Sequence, residues 1–420
     1  MLLVPLSGAT PLFGAGDAPF VPLGPATGPP ADWITENRDG ILVGSSGQVY
    51  GADFADRLTL RKRYFVDENV TSAVAVGRRL LLVKDGERLA ILEPHGGDPV
   101  ALELDPPARG GLTPVVLGDL LMLAEDGVGL RFLRITTSHH DGHFELTPIS
   151  RLPLAESFTA VAATMWTAYV ATASGLLYEI DGAAPGGPRL VRQTVLDDEV
   201  HALAANNDRV LALGNDGLTV YGLTGDRLTA MARTPDVRGD SLQINGRLIY
   251  VAGPDGVQAW RDRTAGSQTH LVSVANDFFS PANLAIDVND SVQWNNAALG
   301  ALHNVKSCIP EISGCYGQTS IETFTSGPVA GAPWTYTYQF TRPGPSPYVC
   351  ISHLPFMTGL VQVGGSVGTG GRVPIDDIGL PVLVGKLTHP ATDPSRLVWW
   401  LIVPTGDAAE SQSSLSDIRP

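Results

Sequence analysis

The chain has 420 residues, 44% of them hydrophobic and only 17% charged, which supplies apolar material for packed cores and excludes a generally disordered polymer. A formal net charge of −15 excludes the broad basic surface that nucleic-acid phosphates require. Glycine (47) and proline (32) break the apolar runs into short pieces, so an all-β chain of many short strands in two or three domains is expected.

Met1-Leu-Leu-Val4 is apolar, but the first basic residue is Arg38, so the basic region of an export signal is not evident and the N-terminus leaves the compartment open. From about residue 30 to 263 one pattern recurs six times: an apolar stretch, a polar turn with glycine, then a second apolar stretch. The turn glycines are Gly47, Gly86, Gly127, Gly175, Gly217 and Gly256, at steps of 39 to 48 residues. Each follows Asp or Ser, the chemistry of a tight hairpin whose backbone needs positive φ. Further short strands precede most hairpins (from Ser72, Thr113, Thr159 and His201) and one follows at Arg189. Four strands per repeat of this length resemble a β-propeller, predicted here over residues 1–264 with six or seven blades. Residues 1–30 or the segment after 380 would supply a seventh blade or a closing strand.

His139-His140-Asp141-Gly142-His143 falls in the longest step and reads as a solvated insertion or, with further ligands, a metal site. His201 begins an inner strand beside peers Ser72, Thr113, Thr159 and Ser241. His95, His270 and His389 show no partner in the sequence. No nucleophile elbow, phosphate loop or HExxH motif is present, so no catalytic residue is assigned.

Residues 265–365 have a different texture. They contain Phe279-Ser-Pro281, the alternating Leu284-Ala-Ile286-Asp-Val288, Asp290-Ser-Val292-Gln-Trp294, His303-Asn304-Val305, and Tyr348-Val-Cys350-Ile-Ser-His353-Leu-Pro-Phe-Met357. These stretches resemble the plastocyanin/azurin family of blue-copper proteins, which implies a cupredoxin Greek-key β-sandwich. Asn289-Asp290 departs from the family's usual Gly-Asp, at a turn and not at the metal. The resemblance implies one type 1 copper held by His303, Cys350, His353 and Met357. Two imidazoles and a thiolate in a plane with a weak axial thioether suit both copper oxidation states, whereas methionine is an unusual zinc ligand. In the family the loop histidine reaches the surface inside an apolar patch; here Leu354, Pro355 and Phe356 follow His353 and would form that electron-exit patch. Repeats followed by a copper domain also resemble nitrous oxide reductase in domain order, but that family's two-copper centre needs two bridging cysteines and Cys350 stands alone.

With Cys350 on the metal, Cys308 and Cys315 either pair across a short loop, implying an oxidising compartment, or remain two buried thiols. Residues 366–420 read as a Gly-rich linker and a tail with short strands. Leu397-Val-Trp-Trp-Leu-Ile-Val403 is far too short to span a bilayer, so no transmembrane span is expected. The combined expectation is an extracytoplasmic (periplasmic or secreted) electron carrier rather than an enzyme. Its propeller would be a docking scaffold, and its partner a redox protein such as a cytochrome or oxidoreductase. Two alternatives stand beside it: an oxidoreductase with a substrate or second cofactor in the propeller, and a copper storage or delivery protein.

Overall fold

The computed structural model describes residues 20–364, apart from 38–39, 55–57, 67–68, 77–78, 94–97, 138–143, 165, 183, 185, 207–208, 225–226, 264–265, 276–277, 297–301, 316 and 356. Among the described residues every regular element is a strand except two single-turn 3-10 helices, Ser313–Cys315 and Ile351–His353. The histidine-rich insertion at 139–143, His95, His389, Phe356 and the tail from 365 lie outside them.

Six four-stranded antiparallel sheets occupy residues 33–65, 70–102, 112–153, 158–195, 200–234 and 241–262. The six turn glycines sit where the sequence predicts, all at positive φ. At Gly256 (φ +99°) a Cβ would also lie 2.5 Å from the Thr27 carbonyl oxygen, so only glycine fits. Inner strands such as Leu120–Glu125 and Leu248–Gly253 are buried along their whole length, while the outer Arg189–Val195 is largely exposed. The apolar runs therefore pack on both faces of each small sheet.

Phe20–Pro22 pairs antiparallel with Gly256–Asp262 and is the fourth strand of the sixth sheet. The N-terminal segment thus closes a sheet, and no seventh sheet of this series occurs among the described residues. The first strands of successive sheets pack side by side, and Trp33–Asn37 also packs beside Ser241–Asn245 of the sixth. The Ile34 N–H donates to Ser241 Oγ at 3.2 Å across that last contact. Between these strands lies a cavity of about 600 Å³ that Thr35, Ser72, Thr113, Thr159, His201 and Ser241 help to line.

Two further sheets follow. One orders Phe278–Ser280, Thr269–Ala275, Ser291–Asn296 and Trp334–Gln339; the other orders Asn283–Ile286, Thr358–Val363, Gly344–Val349 and Lys306–Ser307. Their shared core centres on fully buried Trp294, whose indole stacks on Phe324 (5.6 Å) and meets Tyr348 edge-on (5.3 Å). Leu284 and Ile286 enter this core, but Ala285 between them is buried as well. It faces the opposite way, into a cluster with Ile34, Leu248 and Tyr250 of the six-sheet region. Both faces of this strand are therefore buried.

The seam between the two regions also holds buried charge. Arg247, in the sixth sheet's hairpin, donates twice to Asp290 (both 2.8 Å). His270 Nε2 lies 2.9 Å from the same carboxylate, and the Gln268 N–H donates to it at 2.7 Å. Burial alone would push the Asp290 carboxyl up, but the hydrogen bonds from His270 and Arg247 outweigh it and hold the group well below the usual carboxylate range. No sequence pattern links His270 to a partner, and Asn289-Asp290 reads as a turn. The structure joins them.

Candidate metal centre

Strand Gly344–Val349 pairs with Thr358–Val363 on one side and with Lys306–Ser307 on the other, so it delivers Cys350 to the end of the sheet. There the chain must turn back. The Cys350 N–H donates to the Met357 carbonyl and the Met357 N–H to the His353 carbonyl, both at 3.0 Å, closing residues 350–357 into a tight loop. The single turn Ile351–His353 folds His353 back, placing its Nδ1 3.5 Å from Cys350 Sγ. His303 arrives from a separate short strand, Leu302–His303, held by Ala330–Gly331. Its Nδ1 is 3.8 Å from the same sulfur. The three ligand atoms lie within 4.8 Å of one another.

These spacings fit one ion. Donors at about 2.0–2.3 Å from a first-row metal, set at trigonal or tetrahedral angles, stand roughly 3.3–4.0 Å apart. Both rings present Nδ1 to the sulfur. Cys350, His303 and Met357 are fully buried and His353 is partly open. Met357 shares the Trp294 core with Cys350, so its thioether belongs to the wall of the site. The set of imidazole, thiol, imidazole and adjacent thioether is geometrically consistent with type 1 copper.

Asn304 and Ser352 complete the frame, and sequence reasoning gave neither a role. The Asn304 N–H points at Cys350 Sγ (3.4 Å), its Oδ1 accepts from the Ile351 N–H (2.9 Å), and its Nδ2 donates to the Gly327 carbonyl (3.0 Å). One side chain thus ties the His303 segment to the Cys350 loop. Ser352 Oγ donates to the Leu302 carbonyl and lies 3.2 Å from Cys350 Sγ. The position of Asn304 beside His303 was a signal; nothing in the spacing announced Ser352.

Leu354 and Pro355 are partly buried beside His353, while Leu302 and Ile351 are exposed apolar side chains on the same two segments. A disulfide joins Cys308 to Cys315, with Cα atoms 5.5 Å apart. His201, by contrast, sits 2.9 Å from the Gly239 carbonyl, away from any cluster of His, Cys or acids among the described residues.

No protein-family model matches the chain, and no curated protein does. Solved structures resemble parts of it. An amicyanin variant in its reduced Cu(I) form is 29% identical over 24% of this chain and 84% of its own, at a TM-score of 0.18. A purple cupredoxin from Nitrosopumilus maritimus is 28% identical over 24% of this chain and all of its own, at 0.19. PorZ, a surface component of the type-IX secretion system of Porphyromonas gingivalis, is 13% identical over 58% of this chain, at 0.35; the match spans 38% of PorZ's own length.

Proposed function

We propose that the chain is a one-electron carrier: a six-bladed β-propeller (residues 1–264) bearing a cupredoxin-type sandwich (265–365) in which His303, Cys350, His353 and Met357 hold one type 1 copper. The observation that carries this reading is the convergence of two imidazole Nδ1 atoms on the Cys350 sulfur, at 3.5 and 3.8 Å. When bound, copper at such a site supplies a Cu(II)/Cu(I) couple.

The residues around it do the rest. Asn304 and the closed 350–357 loop fix the ligands before metal arrives, which limits rearrangement on electron transfer. The core around Trp294, Tyr348 and Met357 excludes water from the buried side. His353, partly open among Leu302, Ile351, Leu354 and Pro355, offers a dry apolar contact for transient docking of a redox protein such as a cytochrome or oxidoreductase. Gly344, at the far end of the Cys350 strand, pairs with Val363 beside Ile286 and the Asp287–Asp290 seam. At about 3.3 Å per residue, the ligand loop thus lies roughly 17 Å along that strand from the propeller, which holds the sandwich by the opposite end. The disulfide suits an oxidising, extracytoplasmic location. The enzymatic alternative has one observation in its favour: the propeller cavity is bordered also by His270, Phe278 and Pro281 of the sandwich.

The test is to add Cu(II) to the purified chain and record visible absorption, electron paramagnetic resonance and metal content beside Cys350→Ser. One copper per chain and an intense thiolate-to-copper band, absent from the variant, are expected. Folded wild-type protein without that band would overturn the reading, and a second metal per chain would redirect it to the propeller.

A further inference from the structure

The disulfide loop packs directly against the metal loop. Cys308, Cys315 and Val349 form one small buried cluster, with Ile312 and Leu354 laid against it. Val349 immediately precedes Cys350, and Leu354 immediately follows His353, so the cluster borders two of the ligand positions. The Cys308 N–H is fixed by the Pro347 carbonyl (2.9 Å), and the Cys315 N–H by the Ile312 carbonyl (2.9 Å). The tightest contact is at Gly314. A Cβ there would lie 2.2 Å from Leu354 Cδ2 and 3.5 Å from Pro355 Cα. Gly314 does not have positive φ, so its backbone would accept any residue; what it lacks is room.

Building on the copper reading, we propose that the Cys308–Cys315 loop is a positioning element for the metal site. It seats Leu354, and through Leu354 it sets where His353 meets the ion. A crosslinked support beneath the partly open ligand does for His353 what full burial does for His303, fixing the ring against a rigid wall. The disulfide is buried (both cysteines 2% exposed), which suits a permanent brace.

The test is a steric cycle of Gly314→Ala, Leu354→Ala and the double variant, in the full chain. Gly314→Ala should displace Leu354, change the copper hyperfine coupling, and speed copper release to a chelator by about tenfold. Leu354→Ala should change the same signals without overpacking. In the double variant the added methyl has room, so its signals should match those of Leu354→Ala alone rather than the sum of the two. The His353 imidazole resonance of metal-free protein should move in the same pattern. Unchanged hyperfine coupling and imidazole shift in Leu354→Ala, or additive effects in the double variant, would overturn the proposal. Because the imidazole shift is read without metal, a wild-type chain that forms no blue site but shows the pattern would refute copper and retain the positioning role.

Discussion

The sandwich carries a buried polar cluster at each end, and the two are built differently. At the seam, Arg247, Asp290, His270 and Gln268 match charge to charge and donor to acceptor: one carboxylate takes two donors from the guanidinium, one each from the Gln268 and Asp287 backbone amides, and a contact from an imidazole nitrogen. At the other end, Cys350, His303 and His353 converge on a common point with groups that all carry lone pairs. A cluster of matched opposite charges is finished by folding. A cluster of like donors at 3.5–3.8 Å is finished by a cation. Burial and histidine content alone would not separate the two, since each contains a buried histidine. The chemistry of the partners does.

Breaking the seam should have the largest effect. Asp290 is fully buried and Arg247 is 3% exposed, so Asp290→Ala removes the guanidinium's two shortest carboxylate bonds, leaves it Asp287 at 3.5 Å and the Gly266 carbonyl, and should cost about 3–5 kcal/mol in denaturant unfolding of the full chain. The copper spectrum of the protein that remains folded should be unchanged, because the ligand loop is at the other end. Replacing Arg247 and Asp290 together by Met and Leu should cost much less, since no charge is then stranded. A fall in stability as large as that of Asp290→Ala would mean the packing around the pair, and not its charge, holds the seam.

The same carboxylate gives a pH prediction. Its folded pKa is depressed, so its stabilisation is complete above the unfolded value of about 3.9 and is lost as pH falls toward the folded one. The stability difference between wild type and Asp290→Asn should close as pH falls below about 4. A difference that closes instead near neutral pH would place the governing titration on another group.

The contrast also explains what the sequence could show. The six hairpins were legible because each turn has a local requirement, positive φ, that glycine after Asp or Ser advertises. The convergence of Cys350 and His353 was legible because three of the four expected donors fall within eight residues, Cys350 to Met357. The seam was not. Arg247 and Asp290 are 43 residues apart and His270 lies 20 before Asp290, with no shared pattern to link them. The burial of Ala285 was not legible for a related reason. Alternation tells which residues share a face, but not that the second face is covered by another part of the chain. Phe356, expected in the exit patch, falls outside the described residues, and the apolar rim that is described includes Leu302 and Ile351.

On the proposed copper reading, Met357 would be the weak axial donor beside His303, Cys350 and His353. Met357→Leu keeps volume and burial, so it should cost less than about 1.5 kcal/mol. The blue band should persist, because the thiolate and both imidazoles remain. The reduction potential should rise, because loss of an axial donor disfavours Cu(II) more than Cu(I). Loss of the band would mean Met357 holds the site together; an unchanged potential would mean its sulfur does not reach the ion.

The smallest expected effect is the most diagnostic of hydrogen-bond direction. Ser352 Oγ lies close to the Leu302 carbonyl, 3.2 Å from Cys350 Sγ and 3.3 Å from His353 Nδ1. A hydroxyl has one proton and a carbonyl can only accept, so the proton points at Leu302 and lone pairs face the sulfur. The residue is then a staple between the strand that carries His303 and the loop that carries Cys350, and not a donor to the thiolate. Ser352→Ala should lower unfolding free energy by about 0.5–1 kcal/mol, since the staple is solvent-exposed, and leave the thiolate-to-copper band at the same energy. Had the hydroxyl donated to sulfur, it would withdraw charge from the thiolate. Its removal would then shift the band to lower energy and lower the reduction potential, so a shift of that sign would reassign the proton to Cys350.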